Sequence, residues 1–236
     1  MTEPVVDIPH TLEGLERISS LNITHDSHHY IVLSLLFTWM KDTALNSVKG
    51  VMLDYGCGGQ PYKELFLPNI TKYIGADVAA AKGVEPDIII TPNQPVPLED
   101  QSVDTILSTQ AIEHVNDVDF YLSECARLLK GGGILVLTAP MQWRHHEVPY
   151  DYHRFTRYGL LDYLERHGFV VKDLRPTGGV YALLGQIFLS HLSERGVHNK
   201  YVYRALNHLF LWLDKKFYDP EDTLNWLCIA EKTVGQ

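Results

Sequence analysis

The side chains best suited to acid–base chemistry are concentrated in residues 143–155, which read WRHHEVPYDYHRF. An imidazole titrates near neutral pH and can remove a proton from a hydroxyl group, while a nearby carboxylate can orient its ring. We therefore predict that a histidine of this segment acts as a general base toward an acceptor molecule. The histidines and acids concerned lie within nine residues, and they are His145, His146, Glu147, Asp151 and His153.

Other interpretations of this segment stay open. Its histidines could bond to the backbone of a structural loop, and its arginines could bind a phosphate or carboxylate of the acceptor. Histidine and acidic side chains are also metal ligands, but their spacing here matches no established ligand pattern, so we predict no metal site. The arginines that could bind an anion are Arg144, Arg154 and Arg157.

A further candidate base, His114, ends the stretch STQAIEH at residues 108–114. The residues SVDTILST predict a strand that leads into this stretch, and open parallel sheets bind ligands beyond the carboxyl ends of their strands. The Gln110 amide could orient a ligand at this position. Glu113 and His114 could equally support the loop and the next helix through hydrogen bonds, so both interpretations are kept.

A glycine-rich turn follows another predicted strand, in the sequence VMLDYGCGGQP at residues 51–61. A short apolar run followed at once by glycines is typical of a strand that turns beneath a bound nucleotide. Gly56 and Gly58 let the backbone approach a ligand without a Cβ clash. Asp54 could hold the turn or accept a hydrogen bond from an ammonium group of the ligand. GCGGQP lacks the third glycine that a dinucleotide-binding turn requires at its fixed offset.

Two more residues complete the predicted cofactor site. Asp77 ends the predicted strand KYIGADV and follows Asp54 by 23 residues. That interval is near the roughly 20-residue offset at which an acid reaches ribose hydroxyls. Asn93 follows the predicted strand PDIII and is the candidate for the base of the nucleotide.

The elements that position these residues alternate between strands and helices. Near-continuous apolar strands separated by helical patterns predict an α/β fold, with a parallel sheet covered on both faces. Residues 25–43 predict a buried helix, because they are apolar nearly all round. Two helical patterns between FVVKDLRP and the final strand TLNWLCIAEK predict a cap over the sheet domain.

Composition limits the function further. The chain of 236 residues is 45% hydrophobic and carries a net charge of −9, which argues against a nucleic acid partner. Its three cysteines form no CxxC pair, which suits a reducing compartment. The start MTEPVVDIPH is unlike a secretory signal, and the longest apolar runs fall short of the roughly 20 residues of a membrane span. We therefore expect a cytoplasmic protein.

Taken together, these stretches resemble the class I S-adenosylmethionine (SAM)-dependent methyltransferases, in particular the broad type with small-molecule acceptors. The resemblance lies in LDYGCGG, YIGADV, LEDQSVDTILSTQAIEHV and RLLKGGGILVLTAP, in that order. It implies a Rossmann-like, doubly wound sheet of seven strands in the order 3-2-1-4-5-7-6, with the last strand antiparallel. It also implies SAM as cofactor, contacted by Asp54, Gly56, Cys57, Gly58, Asp77, Asn93 and Gln110.

The segment WRHHEVPYDYHRFTRYGLLDYLERHGF resembles a methyltransferase subgroup associated with glycan or secondary-metabolite biosynthesis. We therefore expect O-methylation of a small-molecule or glycan-like acceptor by one domain, and a homodimer is left open. Within residues 1–236 we expect a helical cover (1–48), a SAM-binding core (49–177), a helical cap (178–219) and a final strand (220–236). The alternatives are a NAD-dependent oxidoreductase and a non-catalytic SAM-binding partner protein.

Overall fold

A computed structural model describes residues 23–81 and 83–234. The first part of the predicted cover, residues 1–22, lies outside the described residues. The helices are α1 (Tyr30–Asn46), α2 (Lys63–Phe66), α3 (Val118–Leu128), α4 (Arg157–Arg166), α5 (Val180–Glu194) and α6 (Lys200–Lys216). The strands are β1 (Val51–Tyr55), β2 (Lys72–Asp77), β3 (Ile88–Ile89), β4 (Val103–Thr109), β5 (Leu129–Pro140), β6 (Phe169–Thr177) and β7 (Asn225–Lys232).

All seven strands form one sheet in the order β3-β2-β1-β4-β5-β7-β6. Strands β1 to β5 pair in parallel, whereas β7 runs antiparallel to both β5 and β6. The predicted α/β class and strand order are therefore confirmed. Strand β5 begins at Leu129, five residues before the predicted start of ILVLTAP, because Leu129 already pairs with Val103 of β4, ahead of a register shift that precedes Ile134.

Helices cover both faces of the sheet. Successive residues of β4 point to opposite faces, so that Ile106 packs in a cluster with α3 and α4 while Leu107 packs in a cluster with α1 and α5. Both side chains are fully buried. This two-sided burial explains why the central strands are apolar at nearly every position, without the alternation of a half-exposed strand.

The two helices of the predicted cap pack against the N-terminal helix. The side-chain amide of Gln186 in α5 donates to the carbonyl of His28 and accepts from the backbone N–H of Val32. The amide of Asn207 in α6 donates to the carbonyls of His25 and Ser27. Residues 23–29 are thus tied to the helical pair, and α1 begins at Tyr30. The domain boundaries proposed from the sequence stay a prediction.

Across residues 23–81 and 83–234, none of the helices is long and apolar enough to cross a membrane.

Asp214 in α6 stabilises the start of α5. Its carboxylate is buried and accepts hydrogen bonds from the backbone N–H groups of Gly179 (3.1 Å) and Ala182 (2.9 Å). We expect Asp214→Ala to lower the free energy of unfolding by about 1–3 kcal/mol, since these donors would be left unpaired at a helix N-terminus. Chemical denaturation measures this change. The exposed neighbour Lys215→Ala is the control, and an equal effect of both substitutions would contradict the assigned role.

Candidate active site

The glycine turn after β1 needs its glycines. Gly56 has a φ of +87° and Gly58 a φ of +50°, both in the region that favours glycine. A Cβ on Gly56 would lie 2.5 Å from the Cβ of Ala111, which follows β4. The N–H groups of Gly56 and Cys57 donate to the carbonyl of Ala76 at 2.8 and 3.1 Å. The turn is therefore packed against the ends of both neighbouring strands.

Asp77 braces this turn from the end of β2. Its two carboxylate oxygens accept hydrogen bonds from the N–H of Gly58 and the N–H of Val78, each at 2.7 Å. The Cys57 side chain is buried beside the turn, close to Gly75. The ribose contact of Asp77 stays a prediction. Its hydrogen bonds to the backbone of the turn are a structural role that the sequence spacing did not reveal.

Asp54, at the end of β1, holds a carboxylate oxygen that lacks a partner. The side chain is buried, and Oδ2 accepts a hydrogen bond from the hydroxyl of Tyr73. Oδ1 is also buried and has no hydrogen-bond partner among the described residues. Burial raises the pKa of Asp54 to about 7, and the negative charge of Asp77 adds to this effect while the Tyr73 hydrogen bond opposes it. A ligand cation such as an ammonium group would supply the missing partner.

These features fit the cofactor that the sequence resemblance implies. SAM carries an ammonium group, which suits the orphaned oxygen of Asp54, and its binding needs close backbone approach, which Gly56 and Gly58 allow. Asp54, Asp77 and the turn residues would hold it.

The remaining predicted cofactor residues lie at the ends of β3 and β4. Gln110 has a φ of +50°, and both its backbone N–H and its side-chain amide donate to the Thr138 hydroxyl, at 3.0 and 2.9 Å. Asn93 is exposed, and its amide donates to the side chain of Asn116 at 3.1 Å. Their contacts with a cofactor stay predictions.

Tyr121 in α3 is a site residue that sequence analysis missed. Its hydroxyl lies 3.0 Å from the carbonyl of Tyr55 and 2.9 Å from Oγ of Ser108, and so connects the ends of β1 and β4. The two tyrosine rings stack with centroids 4.4 Å apart. The only sequence signal for this role is that Tyr121 lies at an apolar position of the predicted helix. Its hydroxyl group must find a hydrogen-bond partner when it is buried there.

The structure brings two of the predicted bases together. The rings of His114 and His146 meet edge to face with centroids 4.7 Å apart. Glu113 is fully buried beside them, and neither of its carboxylate oxygens has a hydrogen-bond partner among the described residues. One ligand-type atom from each of these residues lies within 4.8 Å of the others. We call Glu113, His114 and His146 the base cluster.

Backbone hydrogen bonds hold the two segments of the base cluster together. The carbonyl of Glu113 accepts from the N–H groups of Tyr152 and His153, at 2.9 and 3.2 Å. Nδ1 of His114 lies 2.8 Å from the carbonyl of Tyr150. This contact leaves Nε2 of His114 directed toward other partners, and Oε2 of Glu147 is 3.8 Å from it.

Burial shifts the pKa values of Glu113 and His146 in this cluster. It raises the pKa of Glu113 to about 8, against the opposing charge of Arg154, so that this carboxyl group holds a proton near neutral pH. Burial also lowers the pKa of His146, with the charge of His114 adding to the effect. A neutral imidazole can accept a proton, so His146 has the protonation state that a general base needs.

Asp151 and Arg154 support the loop that carries His146. Both carboxylate oxygens of Asp151 accept from one Arg154 guanidinium, at 2.6 and 2.8 Å, and Oδ2 also accepts from the N–H of His146. Although burial opposes it, the Arg154 hydrogen bonds hold the pKa of Asp151 at about 2. Arg154 further donates to the carbonyls of Trp143 and Arg144. This arginine is thus engaged within the loop.

The other predicted residues of the segment have different surroundings. The side chain of His145 is 92% exposed, and Nε2 of His153 is buried without a hydrogen-bond partner among the described residues. Arg144 pairs with Glu194 at the end of α5, and Arg157 is exposed. The catalytic roles of His145 and His153 stay predictions.

The base cluster could also offer three ligands to a divalent cation, one carboxylate and two imidazoles. Sequence spacing could not show this set, since His146 follows His114 by 32 residues and reaches it only through the fold. The prediction of no metal site stays a prediction.

Comparisons with known proteins find methyltransferase-like sequence in the middle of the chain. Residues 53–137 match the profile of a methyltransferase domain. The chain is 31% identical over 100 residues to a ubiquinone biosynthesis O-methyltransferase of Sinorhizobium fredii, covering 37% of this chain and 40% of that protein. It is 29% identical over 143 residues to a probable S-adenosylmethionine-dependent methyltransferase of Mycolicibacterium smegmatis, covering 55% of this chain and 54% of that protein. The chain thus spans about half the length of these relatives, or less.

Among solved structures, the [4+2]-cyclase SpnF is similar in fold, with a TM-score of 0.58 at 20% identity over 86% of this chain and 82% of that one. At this identity the likeness concerns the fold alone. The strand order is the one that the resemblance to class I S-adenosylmethionine-dependent methyltransferases implied, and residues 53–137 are similar to a methyltransferase domain.

Proposed function

We propose that the protein transfers a methyl group from SAM to a hydroxyl group of a small-molecule or glycan-like acceptor, with a histidine of the base cluster as general base. The observation that carries the proposal is the contact between the glycine turn and the segment after β4. A Cβ on Gly56 would meet Ala111, which lies three residues before His114. Candidate donor site and candidate base therefore share one edge of the sheet.

The chemistry divides between the two halves of this site. Bound SAM supplies an electrophilic methyl group on a positively charged sulfonium. Asp54 and Asp77 would bind the ammonium and ribose groups, and Gln110 would orient the methionine portion. His114 or His146 would align the acceptor hydroxyl and take its proton as the oxygen attacks the methyl carbon. Because Glu113 is protonated near neutral pH, its carboxyl group would place no negative charge beside this base.

The names of the relatives support O-methylation, since one of them is a ubiquinone biosynthesis O-methyltransferase. A NAD-dependent oxidoreductase is disfavoured, because Pro61 stands where the G-x-G-x-x-G turn of dinucleotide-binding proteins, counted from Gly56, carries its third glycine. A non-catalytic SAM-binding protein would keep the Asp54 and Asp77 contacts but would not need the base cluster. Calorimetry with S-adenosylhomocysteine and with NADH separates the first two classes, and a methyltransferase should bind only the former.

Replacement of Asp77 tests the cofactor site. We expect Asp77→Ala to weaken S-adenosylhomocysteine binding at least tenfold, from the loss of charge-assisted hydrogen bonds worth about 1.5–3 kcal/mol. Isothermal calorimetry measures the affinity. The matched control is Asp87→Ala, which removes another acid bonded to β2, through the N–H of Gly75. Unchanged affinity of the Asp77 variant would remove this residue from the cofactor site.

Asp54 predicts a pH dependence of stability in the ligand-free protein. The folded state keeps a proton on Asp54 up to about pH 7, whereas the unfolded chain releases it near pH 4. The contribution of Asp54 to the free energy of unfolding is therefore fully present below about pH 4 and is lost as pH rises to about 7. Between about pH 5 and pH 7 we expect wild type to lose roughly 2–3 kcal/mol more than Asp54→Asn, which cannot ionise.

Urea denaturation at several pH values checks this difference. Parallel pH profiles of wild type and Asp54→Asn would show that this carboxyl group titrates normally in the folded protein.

The base cluster is tested by separate alanine substitutions at His114 and His146. We expect each to lower turnover about 10²- to 10⁴-fold, the usual contribution of a general base, with little change in S-adenosylhomocysteine affinity. A screen of hydroxylated acceptors for S-adenosylhomocysteine release measures turnover. Parallel variants at His145 and His153 compare an exposed imidazole with a buried one.

Three other outcomes would each change the interpretation of this experiment. Equal loss of turnover and cofactor affinity in the His114 and His146 variants would indicate a folding defect instead of a lost base. Full turnover in both variants would contradict the proposed base cluster. Wild-type turnover that is abolished by chelation and restored by a divalent cation would assign the cluster to metal binding instead.

A further inference from the structure

Helices α5 and α6 carry apolar side chains that no described residue covers. Each of these side chains is 44–68% exposed, although it is large and apolar or aromatic. Single exposed apolar residues are common, but a contiguous group marks an interaction site. We call this group the hairpin surface, and it comprises Leu184, Ile187, Phe188, Tyr201, Leu209 and Trp212.

The two helices contribute one continuous surface. Residues 184, 187 and 188 have the spacing that places side chains on one face of α5, and residues 201, 209 and 212 lie on one face of α6. The faces meet where the rings of Phe188 and Phe210 lie with centroids 6.4 Å apart. The opposite face of α5 is already used, because Leu183, Gln186 and Leu189 pack toward α1.

The charge of this region is opposite to that of the whole chain. Residues 180–217 contain five basic side chains and two acids, a difference of +3, while the chain carries −9. The two acids do not neutralise the surface, because Glu194 pairs with Arg144 and Asp214 is buried against Gly179. Four of the basic groups have no ion-pair partner in residues 23–81 and 83–234, and these are Arg195, Lys200, Lys215 and Lys216.

Basic groups flank the apolar stripe at both ends. The ammonium group of Lys200 lies 5.3 Å from the ring centroid of Tyr201, and that of Lys216 lies 5.0 Å from the ring of Trp212. Three exposed acids, Asp219, Glu221 and Asp222, follow α6 outside the two helices. The carbonyl of Asp219 accepts from the N–H of Val180, and the carboxylate of Asp222 accepts from the side-chain amide of Gln142.

We propose that the hairpin surface binds the surface of an anionic lipid bilayer. Apolar and aromatic side chains enter the boundary between headgroups and acyl chains, while lysine and arginine contact the negatively charged headgroups. The α5–α6 pair combines both features. Two copies of this chain are the less favourable occupant, because an isologous contact would set two basic surfaces against each other.

The surface adjoins the loop that bears the candidate base. Arg144 pairs with Glu194 at the end of α5, and the ring of Trp143 stacks on that of His29, which precedes α1. A protein bound through the hairpin would therefore hold this loop close to the bilayer.

The experiment is co-sedimentation of the full chain with vesicles of phosphatidylcholine alone and with about one third phosphatidylglycerol added. We expect binding to the anionic vesicles at least about tenfold stronger than to neutral ones, and weakening as salt is raised. Trp212→Glu and the double change Lys215→Glu with Lys216→Glu should each lower binding to anionic vesicles at least about tenfold.

Tyr158→Glu is the matched control, because this aromatic side chain of α4 is 76% exposed outside the hairpin surface. Its vesicle binding should equal that of wild type, and all variants should bind S-adenosylhomocysteine normally. Absence of wild-type binding to anionic vesicles, or binding that survives Trp212→Glu, would overturn the proposal. A wild-type dimer that Trp212→Glu dissociates, without lipid binding, would assign the surface to a second copy instead.

Discussion

The packing of the glycine turn against β2 is the constraint on which the candidate site depends. The carbonyl of Ala76 and the carboxylate of Asp77 together accept three backbone N–H groups of residues 56–58. These bonds hold the turn so close to the segment after β4 that a Cβ on Gly56 would clash with Ala111. Glycine at this position avoids the clash and leaves the backbone accessible to a ligand. The orphaned oxygen of Asp54 remains beside this turn as a buried group that a ligand cation can satisfy.

A second constraint governs the acceptor side. Arg154 pairs with Asp151 at one end of a loop that has little regular secondary structure, and it also donates to the carbonyls of Trp143 and Arg144 at the other end. Since Arg154 also satisfies backbone carbonyls, the buried charges are compensated by hydrogen bonds. The loop can therefore carry His146 to the buried Glu113, where desolvation favours the neutral forms of both groups.

The helical pair connects these constraints to the surface. Hydrogen bonds from Gln186 and Asn207 tie it to the segment before α1, and Asp214 ties its two helices together. Its buried polar groups thus hold the pair in place, while its outer face keeps apolar and basic side chains toward solvent. The helical pair is therefore packed firmly on its inner side and uncovered on its outer side. This arrangement suits an element that supports the candidate active site and also binds a partner.

The sequence by itself determined the strand order through a family resemblance, and it located the glycine turn, Asp77 and the histidine-rich loop. These features are local, because a strand followed by glycines, or an acid at a strand end, involves only neighbouring residues. Tertiary structure decided which histidines meet and that Tyr121 joins β1 to β4. It alone could do so, because contacts between segments 30 or more residues apart arise only when the sheet is assembled, and burial then sets the pKa values of Asp54 and Glu113.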